Sequence, residues 1–233
     1  IGDVMLIVVH RVLALAPFGI LALAVTLGYR LRSSAIGALG FFIGVNFGAY
    51  AAAMLLLYVL VALVGRIPAG RFARAVLPAQ TVAFGSRSSL ASLPALLEGA
   101  IPLGLPEAVR DFLLPLSVSV FKLGPGINWV LGALFVAALY GVHLGATQIA
   151  TVAVASLALN ASIPGVFAGG LLVQAPLFAA IGLPIEGLGV LIAVDAVVDT
   201  LRTSLNVTAD MAIAAIVARF EPQPDAANGA LTP

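Results

Sequence analysis

Val194-Asp195-Ala196-Val197-Val198-Asp199-Thr200-Leu201-Arg202-Thr203-Ser204-Leu205-Asn206-Val207-Thr208-Ala209-Asp210 is the stretch that decides how this sequence must be read. Asp195, Asp199, Arg202, Asn206 and Asp210 follow one another at intervals of 4, 3, 4 and 4 residues. At about 3.6 residues per turn they line one face of a single helix, and Val, Leu, Ile and Ala fill the other. Such a stripe is unremarkable on a soluble surface. Here it sits in a chain that has almost no charge to spare.

Of the 233 residues, 62% are hydrophobic and 9% charged, and the mean hydropathy is +1.17. A soluble domain carries about 25% charged residues, so lipid must be the solvent for much of this surface. Long apolar runs such as Ala51 to Val64 support that reading; a span needs about 20 mostly apolar residues, and the chain has room for several. They lack the dyad alternation of a membrane barrel. The spans are therefore expected to be helices, and the fold class an all-α polytopic membrane protein. The net charge is +1 and there is no basic tract, so a nucleic-acid partner is not expected. There is no cysteine, which excludes disulfides and thiolate metal sites. The chain opens on Ile1 inside a helical pattern, so a preceding N-terminal part is expected.

In such a medium each charge near the bilayer centre costs about 2.5–3.5 kcal/mol on insertion scales, and intramembrane charges mark solute or ion pathways. A stripe closed by Asp199 pairing with Arg202 at i,i+3 would leave Asp195 and Asp210 without local partners. The stripe is better read as facing a wet cavity that takes a charged solute, ions, or both. Arg202 can hold a carboxylate bidentately, Asp199 can accept from an ammonium, and Asn206 can donate to a second carboxylate. That set suits an acidic amino acid. Asp210 is left for a hard cation with oxygen ligands.

Upstream, two ordinary spans, at about 4–27 and 35–64, precede segments that are interrupted. The apolar pattern over about 70–101 breaks at Phe84-Gly85-Ser86-Arg87-Ser88-Ser89-Leu90-Ala91-Ser92-Leu93-Pro94. Each half, about 12–15 residues, is too short to cross, so a re-entrant hairpin with a polar tip is expected. The segment of about 106–141 is interrupted by Lys122-Leu123-Gly124-Pro125-Gly126 and reads as a broken helix. The pattern then recurs. A second hairpin, about 145–181, has Asn160-Ala161-Ser162-Ile163-Pro164-Gly165 at its middle, and the stripe helix follows at about 184–218. Ala91-Ser92-Leu93-Pro94 and Ala161-Ser162-Ile163-Pro164 lie 70 positions apart. Paired interrupted segments in the two halves of a chain point to a transporter's binding site.

Ser88 and Ser89, with exposed tip amides, can bind carboxylate oxygens where a half-helix N-terminus is aimed at them. They can equally cap that half-helix. Arg87 is placed to pair with an acidic residue such as Asp195. Lys122 is the sole lysine. It either snorkels to an interface or supplies a cation at the site, as a fixed charge or a proton carrier. His10, His143 and Trp129 read as interface or packing residues. No metal-ligand spacing, protease dyad or nucleophile elbow is present, so an enzyme is not expected.

The stripe resembles the last helix of the glutamate transporter family, the dicarboxylate/amino acid:cation symporters. Ser86 to Pro94 resembles that family's first hairpin tip. The likeness runs through essentially the whole chain, from the family's fifth helix onward. It implies two re-entrant hairpins in an inverted repeat, a homotrimer in a bacterial-type cytoplasmic (inner) membrane, and an elevator mechanism. Residues 1–32 would be a scaffold-type helix, 33–219 the transport domain and 220–233 a disordered tail. By motif match Arg202 would bind the side-chain carboxylate, Asp199 the amino group and Asn206 the α-carboxylate. Thr203 and Ser89 would also touch substrate. Asp210 and Asn206 would be sodium ligands, and Ser162, Ile163, Pro164 and Gly165 would form the gate.

One segment departs from the family. Its Asn-Met-Asp-Gly-Thr is here Phe121-Lys122-Leu123-Gly124-Pro125. Phe121 and Leu123 offer no side-chain oxygen to a hard cation, so at least one sodium site is expected to be lost. The Lys122 ammonium would stand in its place, with coupling to protons, to fewer sodium ions, or to none. The competing expectations are a C4-dicarboxylate/proton symporter and a substrate-independent anion channel.

Overall fold

The computed structural model describes residues 34–160 and 169–221. All regular structure among them is helical. The first expected span (about 4–27), the gate residues Ser162 to Gly165 and most of the expected tail lie outside the described residues. Helix α1, Ser34–Leu63, has 30 residues, and at about 1.5 Å per residue it is long enough to cross a bilayer. It shows Phe41, Leu55, Leu56 and Leu63 on its surface, as a lipid-facing helix would. Among the described residues two helical stretches, 37–63 and 109–140, are long and apolar enough to span a membrane by length and composition.

The expected first hairpin is α2, Ala69–Ser86, and α3, Leu93–Leu103. Its first half is longer than the sequence suggested, because Pro78 is absorbed inside α2 without ending it. The broken helix starts with a π-helical turn, Val109–Leu113, continues as α4, Leu114–Val120, and resumes as α5, Leu123–Tyr140. The break is narrower than expected: it is confined to Phe121 and Lys122, and Leu123 to Gly126 are helical. Pro125 was expected to break the helix but sits in the first turn of α5, where backbone N–H groups have no helical acceptor and a missing donor costs nothing. The halves of the second hairpin are α6, Ala146–Asn160, and α7, Gly169–Ala180; the stripe helix is α8, Gly187–Val217.

The contacts divide the chain into two units, and the division falls within α1 and α8. One unit comprises Ala51–Leu123 and Thr203–Pro233. Its core is built by the inward faces of α2 (Phe72, Ala75, Val76, Ala79) and α3 (Leu96, Ala100) with Val207, Met211 and Ala215 of α8. Helix α2 buries residues at i, i+3, i+4 and i+7, the interval of an amphipathic helix. The hairpin closes tightly because Gly99 has no side chain. A Cβ there would collide with the Ala75 carbonyl oxygen and press on Met211. Tyr58 and Phe72 meet edge to face, 5.0 Å between ring centroids.

The other unit comprises Ile1–Tyr50 and Gly124–Arg202. Phe42 of α1 stacks on Phe135 of α5 at 4.6 Å. Gly187, at the start of α8, lies so close to Val136 of α5 that a Cβ would clash with its methyl groups. At the base of the second hairpin the Gln148 side chain accepts from the Gly145 N–H at 2.8 Å and donates to the Ile181 carbonyl at 2.7 Å.

Candidate functional site

Helix α8 carries the stripe, and the stripe is buried. Asp195, Asp199, Thr203, Asn206 and Asp210 are all at most 8% exposed. The sequence-derived face is therefore the inward face, and its polar groups must find partners there.

In the unit that contains it, Arg202 is shared between two carboxylates. Its Nε and NH2 groups both donate to Asp199 Oδ1, at 2.9 and 2.6 Å. NH1 donates to Asp195 Oδ1 at 2.9 Å. The pair with Asp199 is the i,i+3 contact the spacing allowed. The pair with Asp195 is a correction, because Asp195 was expected to lack a local partner. Helical side chains lean toward the N-terminus, so a guanidinium on a long stem reaches past i−3 to i−7. Tyr50 of α1 belongs to the same setting. It is fully buried, it feels the charges of Arg202, Asp195 and Asp199, and its hydroxyl has no hydrogen-bond partner among the described residues. One turn earlier, buried Asn46 donates to the Phe42 carbonyl at 2.9 Å.

In the other unit a second polar cluster surrounds Asp210. The Ser117 hydroxyl of α4 donates to Asp210 Oδ1. Asp210 Oδ2, fully buried, has no hydrogen-bond partner among the described residues. Lys122 acts electrostatically on Asp210, and its Nζ donates to the Val118 carbonyl at 2.5 Å. Phe121 leaves helical geometry at φ −99°, ψ 125°, so the last carbonyls of α4 lose their helical donors. An ammonium at that C-terminus is favoured by both the hydrogen bond and the helix dipole. Lys122 is 8% exposed. Nearby, Gln80 of α2 donates to Thr208 Oγ1 at 2.8 Å, and Thr208 donates to the Ser204 carbonyl at 2.6 Å.

The first hairpin tip, in that same unit, combines capping with exposure. Ser88 Oγ accepts from the Ala91 N–H at 3.2 Å, and Ser92 Oγ donates to the Ser88 carbonyl at 3.0 Å. Ser89 is buried. Arg87 is exposed and holds a left-handed conformation, φ 54°, ψ 32°, at the end of α2. Trp129 is buried and His143 exposed, in keeping with packing and interface roles.

A family model described as the sodium:dicarboxylate symporter family matches residues 1–220. The chain belongs to the sodium:dicarboxylate symporter family. It is 25% identical over 221 residues to a proton/sodium-glutamate symport protein of Bacillus subtilis (strain 168), covering 95% of this chain and 52% of the relative. It is 28% identical over 222 residues to a proton/glutamate-aspartate symporter of Escherichia coli (strain K12), covering 95% and 51%. With human neutral amino acid transporter A it shares 36% identity over 141 residues, 60% of this chain and 26% of the relative. The chain spans about half the length of the two bacterial relatives. This symporter family is one of membrane transporters.

The recognisable motif of the family thus falls on the buried face of α8. Three members of the polar clusters escaped the sequence reading. Tyr50 could have been found, because Asn46 and Tyr50 place polar groups one turn apart in an otherwise apolar span. Ser117 and Gln80 carry no such signal, since each is a single polar residue whose partner is far away in the chain.

Proposed function

We propose that this chain carries the substrate and coupling sites of a secondary active transporter for acidic amino acids, aspartate or glutamate. The observation that carries this reading is the partly buried guanidinium of Arg202, held at the stripe by two buried carboxylates. A guanidinium offers a substrate carboxylate a two-point hydrogen bond, and Asp199 beside it offers an ammonium an acceptor. A C4-dicarboxylate has no ammonium and would meet Asp199 as a like charge. Asn206, Thr203, Ser89 and Ser88 complete the expected contacts. Arg87 contributes charge at the first tip, and Ser162, Ile163, Pro164 and Gly165 form the gate.

Sodium coupling is reduced or absent in this reading. Asp210 is the carboxylate that would take a cation together with Asn206, and the tethered Lys122 ammonium already acts on it. Phe121 and Leu123 add no oxygen ligand. The carrier works by elevator motion, as a homotrimer in a bacterial-type inner membrane.

The test is calorimetric titration of the purified protein with aspartate and glutamate, in sodium and in choline buffers, across pH. Saturable binding without sodium is expected. Binding that needs several sodium ions would overturn the role of Lys122, and current without a substrate requirement would favour an anion channel.

A further inference from the structure

Four helix ends meet at one end of the unit that comprises Ala51–Leu123 and Thr203–Pro233. Val61 in the last turn of α1, Phe72 in the first turn of α2, Leu103 at the end of α3 and Ala215 near the end of α8 all belong to its buried core. Three of these ends are C-terminal, so they present carbonyl groups without helical donors. Two arginines take such carbonyls. Arg219 donates through NH1 to the Val64 carbonyl, and Arg71 donates through Nε and NH2 to the Pro102 carbonyl. Arg74 donates through Nε to the Gly70 carbonyl at 3.2 Å, within α2. Arg66 follows the end of α1 in a left-handed conformation, φ 56°. These contacts orient Arg71 and Arg219 and use only part of each guanidinium, which has five N–H donors.

All four arginines are exposed, and among the described residues none of them pairs with a carboxylate. Arg110, a little further along the chain, is the exception, because Asp111 holds it. The surface beside the four is apolar. Leu63, three residues before Arg66, is 71% exposed, and Ile101, next to the carbonyl that Arg71 holds, is 62% exposed. Phe220 is 68% exposed, and the Arg219 guanidinium carbon lies 5.5 Å from its ring centroid. The stretch 37–63 is long and apolar enough to span a bilayer, so Arg66, just beyond it, stands at the level of the headgroups. We propose that this end of the unit holds the headgroup of an anionic phospholipid, with Arg66, Arg71, Arg74 and Arg219 on its phosphate oxygens and its acyl chains along Leu63, Ile101 and Phe220. A guanidinium holds a phosphate through two parallel N–H bonds, and basic pockets between membrane helices are recurrent headgroup sites. A zwitterionic headgroup brings its own cation and gains less from unpaired guanidinium groups. A soluble anion leaves the apolar side chains uncovered.

The test uses the full chain in detergent, with phosphatidylglycerol, phosphatidylcholine of the same acyl chains and glycerol phosphate as probes, and native mass spectrometry to count what stays bound. Phosphatidylglycerol should be retained at about tenfold lower concentration than phosphatidylcholine. The double variant Arg66→Gln with Arg74→Gln leaves the carbonyl contacts of Arg71 and Arg219 in place and should lose most of that preference. Equal retention of the two lipids overturns the proposal, and so does a preference that survives the double substitution. Glycerol phosphate that binds as tightly as the lipid and displaces it marks a soluble-anion site and overturns the proposal as well. If the double variant does not fold, Arg66→Gln and Arg74→Gln decide singly: a reduced preference in either supports the lipid site, and an unchanged preference in both overturns it.

Discussion

The Ser117 hydroxyl donates to Asp210 Oδ1 at 2.5 Å, joining α4 to the stripe helix across 93 positions of sequence. Five residues after Ser117, Lys122 ends the break in the same helix and places its ammonium near the same carboxylate. The stretch from Ser117 to Lys122 thus brings a hydroxyl and a lysine side chain to the surroundings of Asp210.

Lys122→Met removes that cation while keeping a side chain of similar length. Asp210 then stays buried with the Ser117 hydroxyl as its hydrogen-bond donor, and the Val118 carbonyl loses its donor. Leaving a buried acceptor without its donor costs about 1–3 kcal/mol. We expect a lower melting temperature for the variant. Sodium should raise it in the variant more than in the parent, read as thermal shifts in sodium against choline chloride.

Arg202→Lys keeps the charge and loses the fork. A lysine ammonium cannot serve Asp195 and Asp199 with the geometry of the guanidinium and cannot hold a substrate carboxylate bidentately. Losing about 3 kcal/mol of charge-assisted hydrogen bonding weakens binding by about two orders of magnitude at 1.4 kcal/mol per decade. Aspartate titration measures this directly, and unchanged affinity would remove Arg202 from the site.

Arg87→Gly tests backbone against side chain at the first tip. Arg87 holds φ 54°, a conformation that costs an L-residue about 1–2 kcal/mol and glycine almost nothing. The variant should melt no lower than the parent. If the guanidinium serves the site, aspartate affinity should fall all the same, and a variant with intact affinity would leave Arg87 no role there.

Gly99→Val should open the first hairpin. Even a Cβ meets the Ala75 carbonyl oxygen, and overpacking typically costs about 1–3 kcal/mol. A drop in melting temperature is expected, together with faster hydrogen exchange in α2 and α3. No change in either would mean that the hairpin backbones do not approach this closely.

Gln80→Ala removes the donor to Thr208 and the side-chain link between α2 and α8. The expected loss is about 1 kcal/mol, visible as a small fall in chemical-denaturation midpoint.

What the sequence by itself determined is one-dimensional and periodic. The intervals of 4, 3, 4 and 4 put the stripe on one helix face, whatever else the chain does. The short apolar halves around Ser86 to Pro94 required a turn, because backbone at that depth cannot be left exposed to lipid. The family motif in α8 was legible for the same reason: it lies within one helix. The tertiary structure decided which groups share a charge. Spacing offered Arg202 only Asp199, whereas the direction of a long side chain along α8 added Asp195. Spacing could not join Ser117 to Asp210 or Gln80 to Thr208, because those distances depend on how separate helices pack. The reach of Lys122 also needed coordinates. Its hydrogen bond to the Val118 carbonyl depends on the backbone at Phe121, where the chain leaves the helix in an extended conformation.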